Sequence, residues 1–391
     1  MSTRRRGPST TAVHGIPHRR PDWAPVAPAI LQSSTFVSPV GSDDDIIYSR
    51  YGNNPNQVEL ARKYALLEGS EDAIFLASGM GATALAHLAV LRPGDHLVSS
   101  SWIYGGTRQL FDEELGRFGI DITYVTPDHP RLWRKSVRKR TRAIFVETPT
   151  NPLMRVVDLT PVAHVAREFG LALLVDATFA SPINFRPLEH GADVAITSAT
   201  KYLNGHSDVI AGAVAGSASL IEEVNRLMRR WGQSIDPHAA WLVDRGMRTL
   251  ALRMERHNAN GRAVAEWASS QAAFARVHYP GLPSHPDHDL AKTVLDGFGG
   301  MVGLELAGGP EAAERMLRRL ELVTHAPSLA GVETLISEPR LTSHRGISAE
   351  ERAALGIPDG FLRLSCGIED AGDIIRDLEQ AVGGDEVSGK R

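Results

Sequence analysis

Lys201 stands in the stretch Ser-Ala-Thr-Lys-Tyr-Leu-Asn-Gly-His-Ser-Asp, residues 198–208. The chain has 42 basic residues, of which only Lys63, Lys135, Lys139, Lys201, Lys292 and Lys390 are lysines, leaving 36 arginines. Arginine stays protonated, whereas a lysine amine can lose its proton and attack an aldehyde. The flanking Ser198 and Thr200 carry hydroxyls suited to a phosphate. Asp176 ends the apolar run "LALLVDATF", where a carboxylate can face a protonated ring nitrogen. Tyr104 in "WIYGGT" is a flat ring able to stack on a heteroaromatic. In "LASGMGATALAHL", Gly79 and Met80 open a helix whose free N–H groups point at any anion placed there. "FVETPTNP" ends another apolar run with Glu147 and continues through Asn151. Each feature also has an ordinary reading: a solvated lysine, a βα turn, a helix cap or surface acid, a packed tyrosine, a rigid Pro-rich turn. An aldehyde, a ring nitrogen, a phosphate and a stacking face together describe pyridoxal 5′-phosphate (PLP).

Groups so far apart in sequence need a scaffold that collects them. Seven short apolar runs, at 73–78, 96–101, 122–125, 143–148, 171–177, 194–198 and 210–216, alternate with helical patterns. Residues 83–91 are one such pattern; 159–170 is another, with a Thr-Pro start and a Gly stop. That alternation predicts βαβ units around a mostly parallel sheet covered on both faces. In such a sheet ligands bind beyond the carboxyl ends of the strands, where these polar groups fall. One long helical pattern (241–270) and a Pro/Gly/His-rich break (278–289) follow. An apolar run at 301–308, a helix at 310–322, a run at 362–370 and a helix at 371–382 predict a smaller α+β domain.

The bulk properties exclude several classes. A net charge of −4 over 391 residues leaves no footprint for nucleic acid or an anionic membrane. Cys366 is the single cysteine, so no intrachain disulfide forms, and no apolar run reaches the length of a membrane span. The first twenty residues carry five arginines and no acid, which reads as a structural arm of a cytoplasmic protein. "SHPDHD" (284–289) has His and Asp at metal-like density but no second cluster, so no metal is expected. "RLWRKSVRKRTR" (131–142) carries seven basic residues and reads as one broad solvated helix face, and residues 383–391 as a frayed tail.

Ten ordered motifs make the chain resemble the Cys/Met-metabolism, or trans-sulfuration, family of PLP enzymes: "YSRYGN", "ASGM", "YGGT", "ETPTNP", "VDATF", "SATKYLNGHSD", "YPGLPSHPDHDLA", "GFGGMV", "SLAGVETL" and "RLSCGIED". The resemblance runs from residue 30 to 370 and implies the aspartate-aminotransferase-like fold (fold type I), a PLP-binding α/β domain with a smaller C-terminal α+β domain. Residues 1–56 would be an arm on the neighbouring subunit, 57–255 the PLP-binding domain and 256–391 the C-terminal domain. Lys201 would carry the cofactor and then shuttle protons, Asp176 would pair with the ring nitrogen, and Tyr104 would stack on the ring and assist proton transfer, these three being the catalytic residues. Gly79, Met80, Ser198 and Thr200 would hold the phosphate, with Tyr48 and Arg50 reaching the phosphate of the neighbouring subunit. Asn151 would lie by the ring hydroxyl, Arg363 and Ser328 would clamp the substrate carboxylate, and Glu333 would sit near its distal end. A homotetramer, built as a dimer of dimers with active sites shared within a dimer, is implied. The implied reaction is γ-replacement or γ-elimination on homoserine-derived or cystathionine-type amino acids. The alternatives are β-lyase chemistry, γ-substitution by another nucleophile, or a non-catalytic binding protein on this fold. Three departures stand out: Ala177 where the family usually has Asn, an extra residue in "YGNNPNQ", and Gly106 where methionine γ-lyases tend to have a cysteine. The last speaks against that activity.

Overall fold

A computed structural model of the chain describes residues 6–15, 22–41, 46–346 and 348–383. The arginines at 4, 5, 19 and 20 and the tail at 384–391 lie outside the described residues.

Each of the seven apolar runs forms a strand: β1 (Asp72–Leu76), β2 (His96–Ser100), β3 (Asp121–Val125), β4 (Thr141–Glu147), β5 (Ala172–Asp176), β6 (Val194–Thr197) and β7 (Gly212–Gly216). They form one sheet in the order β1-β7-β6-β5-β4-β2-β3, in which β7 alone runs against the rest. Neighbouring β4 residues serve opposite faces. Ala143 and Phe145 pack with Leu85 and Ile221 on one side, and Ile144 and Val146 with Trp133 and Val162 on the other. Burial on both faces requires apolar side chains at consecutive positions, which is why these strands read as unbroken apolar runs. The register sets Glu147 beside Asp176 and Asp176 beside Ile196, so both carboxylates emerge at the same sheet edge.

The second sheet has five strands, β8 (Phe274–His278), β9 (Met301–Leu306), β10 (Thr324–His325), β11 (Leu335–Ser337) and β12 (Phe361–Ser365), ordered β10-β11-β12-β9-β8. Its core is closed by helices Leu250–Ser269, Gly309–Arg319 and Ala371–Val382, through Val264, Ala313, Met316, Ile374 and Leu378. The domain boundary expected at 255/256 falls inside helix Leu250–Ser269.

Three local expectations are corrected. The 241–270 pattern is two helices, Pro237–Met247 and Leu250–Ser269, with Arg248-Thr249 between them. Gly246 presses on the backbone of Asn204, and Arg253 reaches over the break to the carbonyls of Tyr202, Leu203 and Gly246, supplying donors that the interrupted helix lacks. Within 131–142 only Pro130–Ser136 is helical. Val137 is extended and Thr141 already begins β4, so Arg138 turns to Thr123 and Arg140 to Asp121 rather than sharing a helix face. Helix Leu159–Phe169 forms where expected: the Asp158 side chain caps Thr160 N–H, and Gly170 ends it in the left-handed region. The helix expected at 310–322 stops at Arg319, where the Asp377 carboxylate takes the N–H groups of Glu321, Leu322 and Val323. Among the described residues no helix is long and apolar enough to cross a membrane.

Candidate active site

A cavity of about 640 Å³ opens at the carboxyl ends of β4, β5 and β6, against the start of helix Gly79–Val90. Ten of the thirteen expected site residues line it: Gly79, Met80, Tyr104, Asn151, Asp176, Ser198, Thr200, Lys201, Ser328 and Arg363. The second sheet supplies Arg363 from β12, and the loop before β11 supplies Ser328.

Lys201 lies in the turn after β6, where its N–H donates to Ser198 O (3.1 Å) and its Nζ to Ser328 Oγ (2.8 Å). Burial, with Arg363 adding to it, brings the amine down from 10.5 to about 8. About a tenth of an amine so placed is free at pH 7, far more than of an ordinary lysine, which suits a nucleophile or base. Asp176 accepts from Thr178 N–H (2.9 Å) and Thr178 Oγ1 (2.6 Å), both at Oδ1. Burial raises its carboxyl, and the Thr178 bonds oppose that rise.

Arg363 is buried, donating from Nη1 to Asn151 Oδ1 (2.9 Å) and from Nη2 to Ser328 O (3.0 Å), while Nε has no partner. Burial brings the guanidinium down to about 10. A buried, half-satisfied guanidinium is a receptor for a carboxylate, which it can grip bidentately. Ser328 and Ala330 have φ of 94° and 66°, so the wall beside it holds two non-glycine residues in the left-handed region.

Helix Gly79–Val90 meets the cavity end-on. Ser78 caps it through Gly81 N–H (3.0 Å), and a Cβ on Gly79 would sit 2.8 Å from the Ser198 side chain. Glycine there lets the helix terminus close on Ser198, as an anion cradle needs. Thr200 Oγ1 is engaged with Ala211, donating to its carbonyl (3.2 Å) and accepting from its N–H (3.0 Å). Tyr104 precedes helix Gly105–Gln109, and a Cβ on Gly106 would lie 2.5 Å from its ring.

Three expected residues do not line the cavity. Arg50 Nη1 donates to Arg229 O (2.7 Å), and its guanidinium lies over the Tyr48 and Tyr51 rings. Glu333 is bonded to the Ser207 hydroxyl. Other lining residues lay outside the expected site set, among them Glu147, read from the sequence only as a strand-ending acid. Glu147 bonds Tyr104 and Asn151 N–H, and its signal was the one used for Asp176, a carboxylate ending a buried strand. Burial, reinforced by Asp176, holds its carboxyl well above the usual range. Leu341, Thr342 and Ser343 form the outer wall and carried no motif.

Among the described residues no group of three or more His, Cys, Asp or Glu is placed to hold a metal ion. In "SHPDHD", Asp287 pairs with Arg155 at 2.6 and 3.1 Å, and His288 bonds Pro280 O.

The cavity suits PLP on its own donors: a depressed amine, a buried carboxylate, an aromatic ring and a helix terminus pressed on a serine. The family model described as Cys/Met metabolism PLP-dependent enzyme matches residues 9–383. The L-methionine γ-lyase of Porphyromonas gingivalis is 39% identical over 390 residues, covering 97% of each chain. The cystathionine γ-synthase of Mycobacterium tuberculosis is 41% identical over 380 residues, covering 96% of this chain and 97% of the other. The crystal structure of a cystathionine γ-synthase from Xanthomonas oryzae pv. oryzae, in complex with aminoacrylate and cysteine, superposes with a TM-score of 0.92. It is 38% identical and covers 96% of this chain and 98% of the other.

Proposed function

From the premise that the chain belongs to the Cys/Met metabolism PLP-dependent enzymes, we propose that it catalyses γ-replacement or γ-elimination on homoserine-derived or cystathionine-type amino acids. The carrying observation is that Lys201, Asp176 and Arg363 share one cavity, with the lysine amine brought down to about 8.

PLP, when bound, withdraws electrons from the substrate's Cα and so makes its protons removable. Gly79, Met80, Ser198 and Thr200 would hold its phosphate, Asp176 its ring nitrogen, Tyr104 its face and Asn151 its ring hydroxyl. Arg363, with Ser328, holds the substrate α-carboxylate, since its buried Nε is left to bond. Lys201 takes the proton from Cα and returns one at a neighbouring carbon, and its depressed pKa suits it to both roles. Removal of a Cβ proton expels the γ substituent, after which a thiol adds or water completes elimination.

Tyr48 and Arg50 do not line this chain's own cavity, which accords with their serving a neighbouring subunit. Glu333 would act at the substrate's distal end. A homotetramer of paired dimers in the cytoplasm is the assembly and location that accord with this reading. Relatives of about equal identity carry γ-synthase, γ-lyase and β-lyase names, so the choice of γ chemistry over β-elimination is what the product assay decides.

The test is a product assay on the purified protein. Cystathionine alone should yield 2-oxobutyrate, and acylated homoserine with cysteine should yield cystathionine. Pyruvate from cystathionine, without 2-oxobutyrate, would overturn the γ assignment. A wild type that stays colourless after incubation with PLP, or Lys201→Arg with an unchanged visible band, would overturn the site.

A further inference from the structure

One carboxylate that the reaction does not use closes a hydrogen-bonded path around the cavity. Glu147 is 5% exposed and accepts Tyr104 N–H at Oε2 (2.7 Å) and Asn151 N–H at Oε1 (2.9 Å). The Asn151 side chain accepts from Arg363 Nη1 (2.9 Å), Arg363 Nη2 donates to Ser328 O (3.0 Å), and Lys201 Nζ donates to Ser328 Oγ (2.8 Å). The path therefore runs Tyr104, Glu147, Asn151, Arg363, Ser328, Lys201. Glu147 is the link that joins the tyrosine to the rest.

We infer that Glu147 is a positioning residue, whose two oxygens fix the backbones of Tyr104 and Asn151 against each other and so set the aromatic wall relative to the arm that orients Arg363. This rests on the roles proposed above for Tyr104 and Arg363. Only a carboxylate fits both donors. An amide of the same shape has one oxygen, and its NH₂ would confront one of the two N–H groups. Aspartate keeps the charge but is one methylene too short to reach both. The turn after Glu147 contains Pro149 and Pro152, which have no N–H; its other backbone N–H bonds run to Asp176 and Arg155, and the grip on Asn151 N–H is the one that ties it to Glu147. Burial pushes this carboxyl up to about 8 against the opposing pull of the two backbone donors and the nearby guanidinium, and both of its oxygens can accept in either protonation state.

The experiment compares Glu147→Gln and Glu147→Asp with wild type, each alone and with Tyr104→Ala, which removes the ring and keeps the backbone N–H. The first readout is amide hydrogen exchange of the cofactor-free proteins, which involves no chemistry at PLP. Both variants should exchange about tenfold to a hundredfold faster at Tyr104 and Asn151, with little change elsewhere. The second is kinetic. Glu147→Gln should keep the cofactor's visible band, lose about tenfold to a hundredfold in kcat and raise KM. Its kcat loss should shrink in the Tyr104→Ala background, because a residue acting through the tyrosine ring is not additive with its removal.

Unchanged exchange at those two amides overturns the inference, and so do additive kinetic losses or a lost band. A colourless, inactive wild type would sink the functional reading instead, and the exchange data would still decide the role of Glu147.

Discussion

Replacing Lys201 by methionine should make the cofactor-free protein more stable at neutral pH. The wild-type fold holds an ammonium where burial and the nearby Arg363 disfavour it, which brings the group from 10.5 to about 8. That gap is about 2.5, and at about 1.4 kcal/mol per pH unit the fold carries about 3 kcal/mol of penalty below pH 8. Methionine has a similar length and no charge, so it removes the penalty. It also removes the hydrogen bond to Ser328 Oγ, worth about 1 kcal/mol, leaving a net gain of about 2 kcal/mol at pH 7. The direction with pH follows from the protons bound. Between about 8 and 10.5 the unfolded chain keeps the lysine proton that the fold has released, so wild-type stability rises with pH across that window. The two proteins should therefore converge, with almost no difference left by about pH 10. Urea unfolding at pH 7, 8.5 and 10, at one protein concentration and without PLP, measures it. A variant less stable than wild type at pH 7, or a difference that ignores pH, would refute the claim that Lys201 is held against its own ionisation.

Two adjacent glycines should respond differently to alanine. At Gly106 the methyl meets the Tyr104 ring, which is 39% exposed and free to swing, so thermal stability should hardly change while kcat falls. At Gly105 it overlaps the backbone oxygen of Ser343, so the outer wall must move at a cost of about 1–3 kcal/mol, visible in Tm. Asp377→Asn should cost about 1–3 kcal/mol at pH 7, because the amide cannot accept all the N–H groups of residues 321–323. Burial alone would raise that carboxyl, but those bonds hold it below 3.8. Its stabilising effect is thus full above the unfolded value and fades as pH falls through the folded one, so the gap to the variant should narrow below about pH 4 in urea titrations.

The large sheet was legible because a strand covered on both faces must be apolar at every position, and β4 and β6 are buried nearly throughout. The ends of those strands gave the chemistry, since a polar residue that terminates an apolar run has to stand at the sheet's carboxyl edge. The break at Arg248-Thr249 was hidden because its cause is tertiary: Gly246 against Asn204, and Arg253 reaching over. The basic stretch at 131–142 misled for a related reason. Counting charges says nothing of where Thr141 must join β2, and that pairing ends the helix early. Leu341 to Ser343 belong to the cavity only because the second sheet folds them over it, and no spacing in the sequence records that. Glu147 was visible as a strand-ending acid, but its two donors come from different turns, which only the fold brings together.

The four charged groups of the cavity tell one physical story. Asp176 and Glu147 are pushed up, Lys201 and Arg363 are pushed down, and in each case burial is the largest cause. Each is driven toward its neutral form, so the protein alone does not satisfy its own site. The strained φ angles of Ser328 and Ala330 lie in the same wall, and they persist because the bonds to Lys201 and Arg363 hold that wall in place. A ligand set carrying a ring cation, a phosphate and a carboxylate would supply the opposite charge for Asp176, the helix terminus at Gly79 and Arg363, while Glu147 already holds two backbone donors. Binding energy then comes from groups already desolvated and already aimed, and little is lost to reorganisation when the ligands arrive. The same arrangement explains why Lys201 could not be one more arginine. In a pocket that disfavours cations, lysine can give up its proton and become a nucleophile, whereas arginine keeps its charge.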